Sequence, residues 1–368
     1  MNRLSRLSLN NTHVSLPYVT IAQRVIEAMV HGALTYDTET GEALIGLSIA
    51  NADQTEPDII VLDTIAPDAS AVRHSVYFEQ GDDWQSDVMQ WLSDNWNDTR
   101  QNPATNAKID ARSNVPLVHL GDWHKHPGAM TEPSFGDMRT ARAVLADKHL
   151  NAPFLLAILA TVWNRDKAHE ALEALAADER PILIDPPDDP QITIRLDCWY
   201  MSRRSRRFAH LTPTVQPNEA LPTLPILGWH LAAQGRMRWE IIELEKANYA
   251  VISVDQQEVD HVPPRELCLT LERQDGGQVL IAVTQADYPL HRPEIRLVPL
   301  AALNNLNGDS DMFAVLWPQS KPLPAEAYPD WDWSAAHSLG ELAQAIDQKL
   351  EHPSPSVPMT TKDSTNDQ

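Results

Sequence analysis

Apolar positions along this chain change their period several times, and each change predicts an element. In residues 18–30 (YVTIAQRVIEAMV), Ile21, Val25 and Met29 have the spacing of one helix face, and Gly32 follows as a stop signal. LTYDTETGEALIGLSIANADQ reads as a strand pair with its turn near Thr40-Gly41, and DIIVLDTIAP as a further strand. A helix is expected behind Asp82 and Asp83, with Trp84, Val88, Trp91, Leu92 and Trp96 as one core-facing stripe. Residues 98–114 are polar and read as a long loop. LVHLGDWHKH then reads as a strand that Pro127 ends, since proline has no N–H for a ladder. A loop, GAMTEP, leads into a helix written SFGDMRTARAVLADKHL. PFLLAILATVW is nearly continuously apolar, as a strand buried on both faces would be. KAHEALEALAADE has helical composition, and ITIRLDCWYMSRRSRRFAHL predicts a long final strand or hairpin.

A proline-rich stretch without periodicity follows and reads as a linker. Beyond it, WHLAAQGRMRWEIIELEKA predicts a helix, and YAVISV, ELCLTLE, QVLIAVT and EIRLVP predict strands separated by polar turns. Leu339, Leu342, Ile346 and Leu350 are spaced for one face of a closing helix. These readings divide the chain into a tail (1–17), a first domain (18–214), a linker (215–226), a second domain (227–352) and a disordered tail (353–368). No internal repeat is visible.

Composition narrows the function classes. The 368 residues are 43% hydrophobic and 22% charged, an ordinary globular balance. A net charge of −22 argues against a nucleic-acid partner, because counterion release needs clustered Lys and Arg. The one basic cluster, Arg203, Arg204, Arg206 and Arg207, reads as a solvated hairpin end, with an anionic partner or substrate tail as the other reading. Two distant cysteines, Cys198 and Cys268, make no disulfide framework and suit a reducing cytosol. No run approaches about 18 apolar residues, and the first residues lack a signal-peptide core, so a cytoplasmic protein without a membrane partner is expected.

The chemistry concentrates in LVHLGDWHKHPGAMTEPSFGD. About half a His-x-His pair is expected by chance in a chain with 14 His among 368 residues, so His124 and His126 alone say little. Residues i and i+2 of a strand share a side, however, so both imidazoles can aim at one point. A following helix can return Asp137 to that point. Ser134 and Asp137 are also spaced as a helix N-cap and its acidic first turn. Two histidines and a carboxylate with a fourth position free form the ligand set of a catalytic zinc, one per chain. Such a zinc lowers the pKa of bound water and polarises a carbonyl. The reaction further needs a carboxylate that is not a ligand and a donor for the developing oxyanion, which Ser134 can supply.

The whole constellation resembles a known family. Glu39-Thr40-Gly41 followed by Leu44-Ile45-Gly46 is similar to the Glu-Thr-Gly-Gly-x-Leu-x-Gly strand of the prokaryotic JAB branch of the JAMM/MPN+ metallopeptidases. His124-x-His126-Pro127, seven residues to Ser134, and Ser134-x-x-Asp137 match the rest of that signature over residues 18–214. The resemblance implies zinc ligands His124, His126 and Asp137, a general acid/base in Glu39, and a Ser134 that stabilises the tetrahedral intermediate. It implies a cytidine-deaminase-like α/β/α sandwich with a mixed sheet. It also implies cleavage after the C-terminal glycine of a ubiquitin-like modifier. Glu42 stands where the family has a second Gly and is the other candidate base; Lys125 stands where Ser or Thr is usual and should point to the opposite face.

Tyr288-Pro289, Pro293-Glu294-Ile295, LNNLNG and Trp333 resemble a smaller α+β, UBC/RWD-like fold. Active members carry a catalytic cysteine some tens of residues after Tyr-Pro; here that region reads DSDMFAVLW, and Cys268 precedes the motif on a predicted strand, as a core thiol. The expectation is a non-catalytic domain that docks a modifier, a conjugating or adenylating partner, or a substrate. Two other functions remain open at this point: trimming of a sulfur-carrier protein's C-terminus, and a non-enzymatic MPN-type scaffold.

Overall fold

A computed structural model of the chain describes residues 16–52, 54–74, 77–80, 83–107, 109–275, 278–305 and 311–351. Asp82, the expected tail from 353 onward, most of the N-terminal tail, and the Leu306–Gly308 and Asp309–Ser310 pieces of the second-domain motifs lie outside the described residues. The chain divides into two units, Met1–Pro225 and Ile226–Gln368.

In chain order the first unit contains β1 (Val19–Ala22), α1 (Gln23–Thr35), β2 (Gly41–Ile49), β3 (Asp58–Ile65), a hairpin of β4 (Val72–His74) and β5 (Tyr77–Glu79), then α2 (Asp83–Gln101) and α3 (Pro103–Asn106). There follow β6 (Leu117–Lys125), α4 (Phe135–Ala146), β7 (Phe154–Asn164), α5 (Arg165–Glu173), β8 (Ile182–Ile184), β9 (Ile192–Ser202), β10 (Ala209–Leu211) and β11 (Thr214–Gln216). The main sheet runs β10-β9-β7-β6-β2-β3-β1-β11, with β8 added to β9. Strands β6 and β7 pair in parallel, as β1 does with β3 and β11, and the other pairs are antiparallel. The sheet is therefore mixed, in an α/β unit as expected.

Side-chain alternation assigns the two faces. On one, Val25, Ile26 and Met29 of α1 pack with Leu44, Trp123, Leu156, Ile158, Ile194, Leu196, Cys198 and Tyr200. Each such fully buried aliphatic side chain contributes about 1.5–3 kcal/mol, which is why the helix stays docked. On the other face Ala141 and Leu145 of α4 meet Leu155 and Met201, the neighbours in sequence of Leu156 and Tyr200. Helix α2 packs on β3 and β6 through its stripe of Val88, Trp91, Leu92 and Trp96, held by Trp96 Nε1 donating to the Val115 carbonyl at 2.8 Å.

Several expectations need correction. Residues 19–22 are strand, not helix: Val19, Thr20 and Ile21 are β-branched, and Ile21 pairs with both Val61 and Val215. The helical spacing of Ile21 with Val25 and Met29 arose because strand and helix feed one core. Helix α1 also runs through Gly32, which does not stop it; a Cβ there would lie 2.8 Å from the Trp123 ring. Thr40-Gly41 is no hairpin turn but the start of one strand, where a Cβ on Gly41 would lie 2.2 Å from the Trp123 carbonyl. The polar stretch 98–114 still contains the end of α2 and all of α3. Residues 215–216, read as linker, belong to β11 and complete the sheet beside β1.

The second unit contains α6 (Trp229–Ala232), α7 (Gln234–Lys246), β12 (Tyr249–Gln257), β13 (Glu266–Arg273), β14 (Val279–Thr284), β15 (Glu294–Val298), α8 (Met312–Leu316), β16 (Lys321–Pro322) and α9 (Leu339–Glu351). Its strands form an antiparallel meander in chain order. Leu267, Leu269 and Leu271 face Leu244 of α7 and Leu342 and Ile346 of α9, while Cys268, Ile281 and Val283 face Phe313 and Leu316 of α8. Leu350, expected on the buried face of α9, is 37% exposed. Among the described residues no helix is long and apolar enough to cross a membrane.

Candidate metal centre

Strand β6 sets the geometry. Trp123 is fully buried on the α1 face, so its neighbours His124 and Asp122 point the other way, towards the face that carries α4. Lys125 returns to the α1 face, as expected, and its ammonium donates to carbonyls at the C-terminal end of α1, Ala33 at 2.9 Å and the capping residue Tyr36. His126 continues the pairing for one more residue, its N–H donating to the Ala160 carbonyl at 2.9 Å. Pro127 then ends the strand.

After the loop, Ser134 caps α4 in a reciprocal box. Its Oγ accepts from the Asp137 N–H at 3.2 Å, and Asp137 Oδ2 accepts from the Ser134 N–H at 2.6 Å. The cap fixes where the Asp137 carboxylate sits, and that place is against the two imidazoles. His124 Nε2 lies 3.5 Å from Asp137 Oδ1, and His126 Nε2 lies 3.2 Å from Asp137 Oδ2. The two Nε2 atoms are 2.9 Å apart.

These separations can be tested against a metal. Tetrahedral bonds of roughly 2.0–2.2 Å put ligand atoms about 3.3–3.6 Å apart; the His124–Asp137 separation of 3.5 Å falls in that range, and the other two, 3.2 and 2.9 Å, are somewhat shorter. The remaining ring nitrogen of His126 meets the Met130 carbonyl at 3.0 Å, the outer contact that leaves Nε2 for an ion. Burial depresses the His124 pKa to about 4, against the pull of Asp137, so this imidazole is neutral at neutral pH, as a ligand must be. Burial also acts to lower His126, but hydrogen bonds to Asp137 and Met130 outweigh it and raise the pKa. Burial would raise Asp137; the bond from His126, the charge of His124 and the Ser134 contacts hold it far below the usual carboxylate range. The three side chains could hold a metal ion.

The two candidate bases part company. Glu39 precedes β2 and is fixed by its N–H donating to the His74 carbonyl of β4 at 3.0 Å. Its carboxyl is raised by burial, lowered by the charge of His126 and raised by that of Asp137, so it stands within reach of the cluster's field. Glu42 lies beside Trp123 on the opposite face, accepting from the indole N–H at 3.2 Å. Ser134 Oγ uses a lone pair in the cap, which leaves its own proton for a further partner.

Some contributors escaped the sequence reading. Asp122, on the His124 side of β6, accepts from Gln80 Nε2 at 2.7 Å; its spacing of two from His124 was the available signal. Arg73 of the unforeseen β4–β5 hairpin donates to Thr40 Oγ1 at 3.3 Å, beside Glu39, and stacks on Tyr36. The basic cluster ends the β9–β10 hairpin with all four arginines exposed; Arg203 Nε caps the Leu145 carbonyl at the end of α4. No family model and no curated protein matches the chain.

Proposed function

We propose that the first unit is a JAMM-type zinc metallopeptidase of the JAB/MPN fold that cleaves after the C-terminal glycine of a ubiquitin-like modifier. The observation that carries the proposal is the convergence of His124 Nε2, His126 Nε2 and the Asp137 carboxylate within 3.5 Å of one another. The resemblance of these same residues to the JAMM signature supplies the reaction and substrate class.

Zinc bound by the three residues would lower the pKa of a coordinated water and polarise the scissile carbonyl. Glu39, not a ligand, takes the proton from the attacking water and delivers it to the leaving amine; its raised pKa suits a group that must do both. Glu42, engaged by Trp123 on the far face, has no part in this. The free proton of the Ser134 hydroxyl serves the developing oxyanion, and the capping bond holds Oγ in place. The Met130 carbonyl keeps His126 in the tautomer that presents Nε2.

The second unit is read as a UBC/RWD-like domain without conjugating chemistry. Its one thiol, Cys268, is fully buried on β13, and burial raises its pKa away from the thiolate that transfer would need. Its role is then docking of a modifier or of a conjugating or adenylating partner. The setting is the cytoplasm, where Cys198 and Cys268 stay reduced.

The test uses the full-length protein and small modifiers ending in glycine, each fused to a reporter at that glycine. One zinc per chain and cleavage at the glycine, abolished by Glu39→Ala, are expected. Protein purified without stoichiometric zinc, or Glu39→Ala cleaving at the parent rate, would sink the proposal.

A further inference from the structure

The loop between the two halves of the metal centre, residues 127–133, contains a turn but no helix or strand, yet it must hold His126 and Asp137 in register. Two of its consecutive carbonyls are gripped. Met130 O meets the ligand imidazole of His126 at 3.0 Å, and Thr131 O accepts the indole N–H of Trp199 at 3.0 Å. We infer that Trp199 is a positioning residue for the metal centre, acting through the Thr131 carbonyl. The inference rests on the zinc reading above.

The geometry follows from the strand order. Along β9, Ile194, Leu196, Cys198 and Tyr200 face the α1 core, so Arg195, Asp197 and Trp199 face the side that carries the metal centre. Trp199 pairs with Ala157 of β7, which pairs with Asp122 of β6, two residues before His124. One sheet therefore roots both the ligand strand and the indole. The loop is pinned to that sheet at its start, by the His126 N–H on Ala160, and again at Thr131. Between these pins lies Met130, whose carbonyl orients His126.

The indole is itself held. The His210 ring stands edge-on to it, with centroids 5.0 Å apart at 82°. Asp197, 1% exposed, is neutralised by two bonds of 2.8 Å from Arg195, which anchors the polar face of β9. Any buried indole N–H seeks an acceptor. The significance here is which acceptor it has: a carbonyl adjoining the one that fixes a ligand, on the segment that joins the ligands. A group bonded directly to a ligand, as the Met130 carbonyl is to His126, changes metal affinity by about 10–100-fold when removed, and Trp199, one bond further out, should act at the low end of that range.

The experiment measures zinc affinity by competition with a chromogenic chelator in the full-length parent and in Trp199→Phe, which keeps a ring and removes the donor. Replacement of the indole by the isosteric benzothiophene, by nonsense suppression, removes the same N–H without changing shape and serves if the Phe variant does not fold. Zinc binding about tenfold weaker is expected, with the metal-free protein still folded and unfolding in a cooperative transition. Faster amide exchange in residues 128–132 of the metal-free protein is also expected. Zinc affinity within twofold of the parent in the folded variants overturns the inference and leaves the metallopeptidase reading standing. A parent that binds no zinc overturns both.

Discussion

Two helices of this chain start with the same reciprocal cap. Ser134 and Asp137 exchange two hydrogen bonds at the head of α4, and Ser338 and Glu341 exchange the equivalent pair at the head of α9, at 2.9 and 3.0 Å. Glu341 is exposed, whereas the Asp137 carboxylate also lies 3.2 and 3.5 Å from two imidazoles. The pattern Ser-x-x-acid is identical in kind; the difference comes from the strand that ends beside it. Buried acids show the same contrast. Glu240, fully buried in the second unit, is surrounded by donors: Arg236 Nε at 2.7 Å, the Leu339 N–H at 2.7 Å and the Tyr288 hydroxyl. That cluster closes on itself. In the first unit two Nε2 atoms and a carboxylate face one another, a set rich in lone pairs that a cation would satisfy.

Removing the acid from each cap should separate the two cases most widely. Structural zinc sites gain about 10–16 kcal/mol from four ligands, or roughly 3 kcal/mol each, so Asp137→Asn should weaken zinc by about a hundredfold or more. Glu341→Gln should leave zinc content at the parent level. Metal analysis after dialysis against a weak chelator decides, and equal zinc in the two variants would erase the contrast.

Glu39→Gln should lower kcat by about 10²–10⁴-fold while zinc stays bound, the magnitude of general acid–base catalysis. Glu42→Gln keeps an oxygen to accept from the Trp123 indole, and its kcat should stay close to the parent's. A larger loss for Glu42 than for Glu39 would reverse the assignment.

The contrast between the clusters also appears in stability. Breaking a buried ion pair costs about 3–5 kcal/mol, so Glu240→Ala, which removes the fully buried partner of Arg236, should shift the denaturant midpoint of the second unit strongly and leave zinc content alone. Zinc at a hundred times its Kd should stabilise the first unit by about 2.7 kcal/mol and leave the second unit's midpoint unmoved. Calorimetry with and without a chelator reads both, and a zinc-sensitive transition in the second unit would contradict the division of roles.

How much of this was legible beforehand follows from the range of each interaction. The strand, the break at Pro127 and the cap of α4 are local, and residues 117–137 spell them out. So does the burial of β7, whose apolar run needs no partner to be recognised. The start of β2, the passage of α1 through Gly32 and strand β1 depend on contacts distant in sequence: Trp123 against Gly32 and Gly41, Ile21 against Val61 and Val215. Period alone cannot show them, because a strand followed by a helix can feed one core and mimic a continuous helix. In the site, His124, His126 and Asp137 were readable from spacing. The hold of Trp199 on Thr131 joins residues 68 apart and had no local trace.

The smallest effects test the caps themselves. Ser134→Ala and Ser338→Ala each delete one side-chain acceptor for a helix N–H, and each should cost about 1 kcal/mol in its own unit. If capping were all that Ser134 does, the two substitutions would be equivalent apart from the unit they destabilise. The Ser134 hydroxyl, however, has a proton that the cap does not use, and loss of an oxyanion donor costs about 10²–10³-fold in kcat. Ser134→Ala should therefore lower kcat on that scale with KM little changed, and Ser338→Ala should leave kcat unaltered. Substitution by Thr keeps the hydroxyl and the cap, so Ser134→Thr should recover much of the rate. A Ser134→Ala enzyme with the parent kcat and a 1 kcal/mol loss of stability would reduce Ser134 to what Ser338 is, the first residue of a well-made helix.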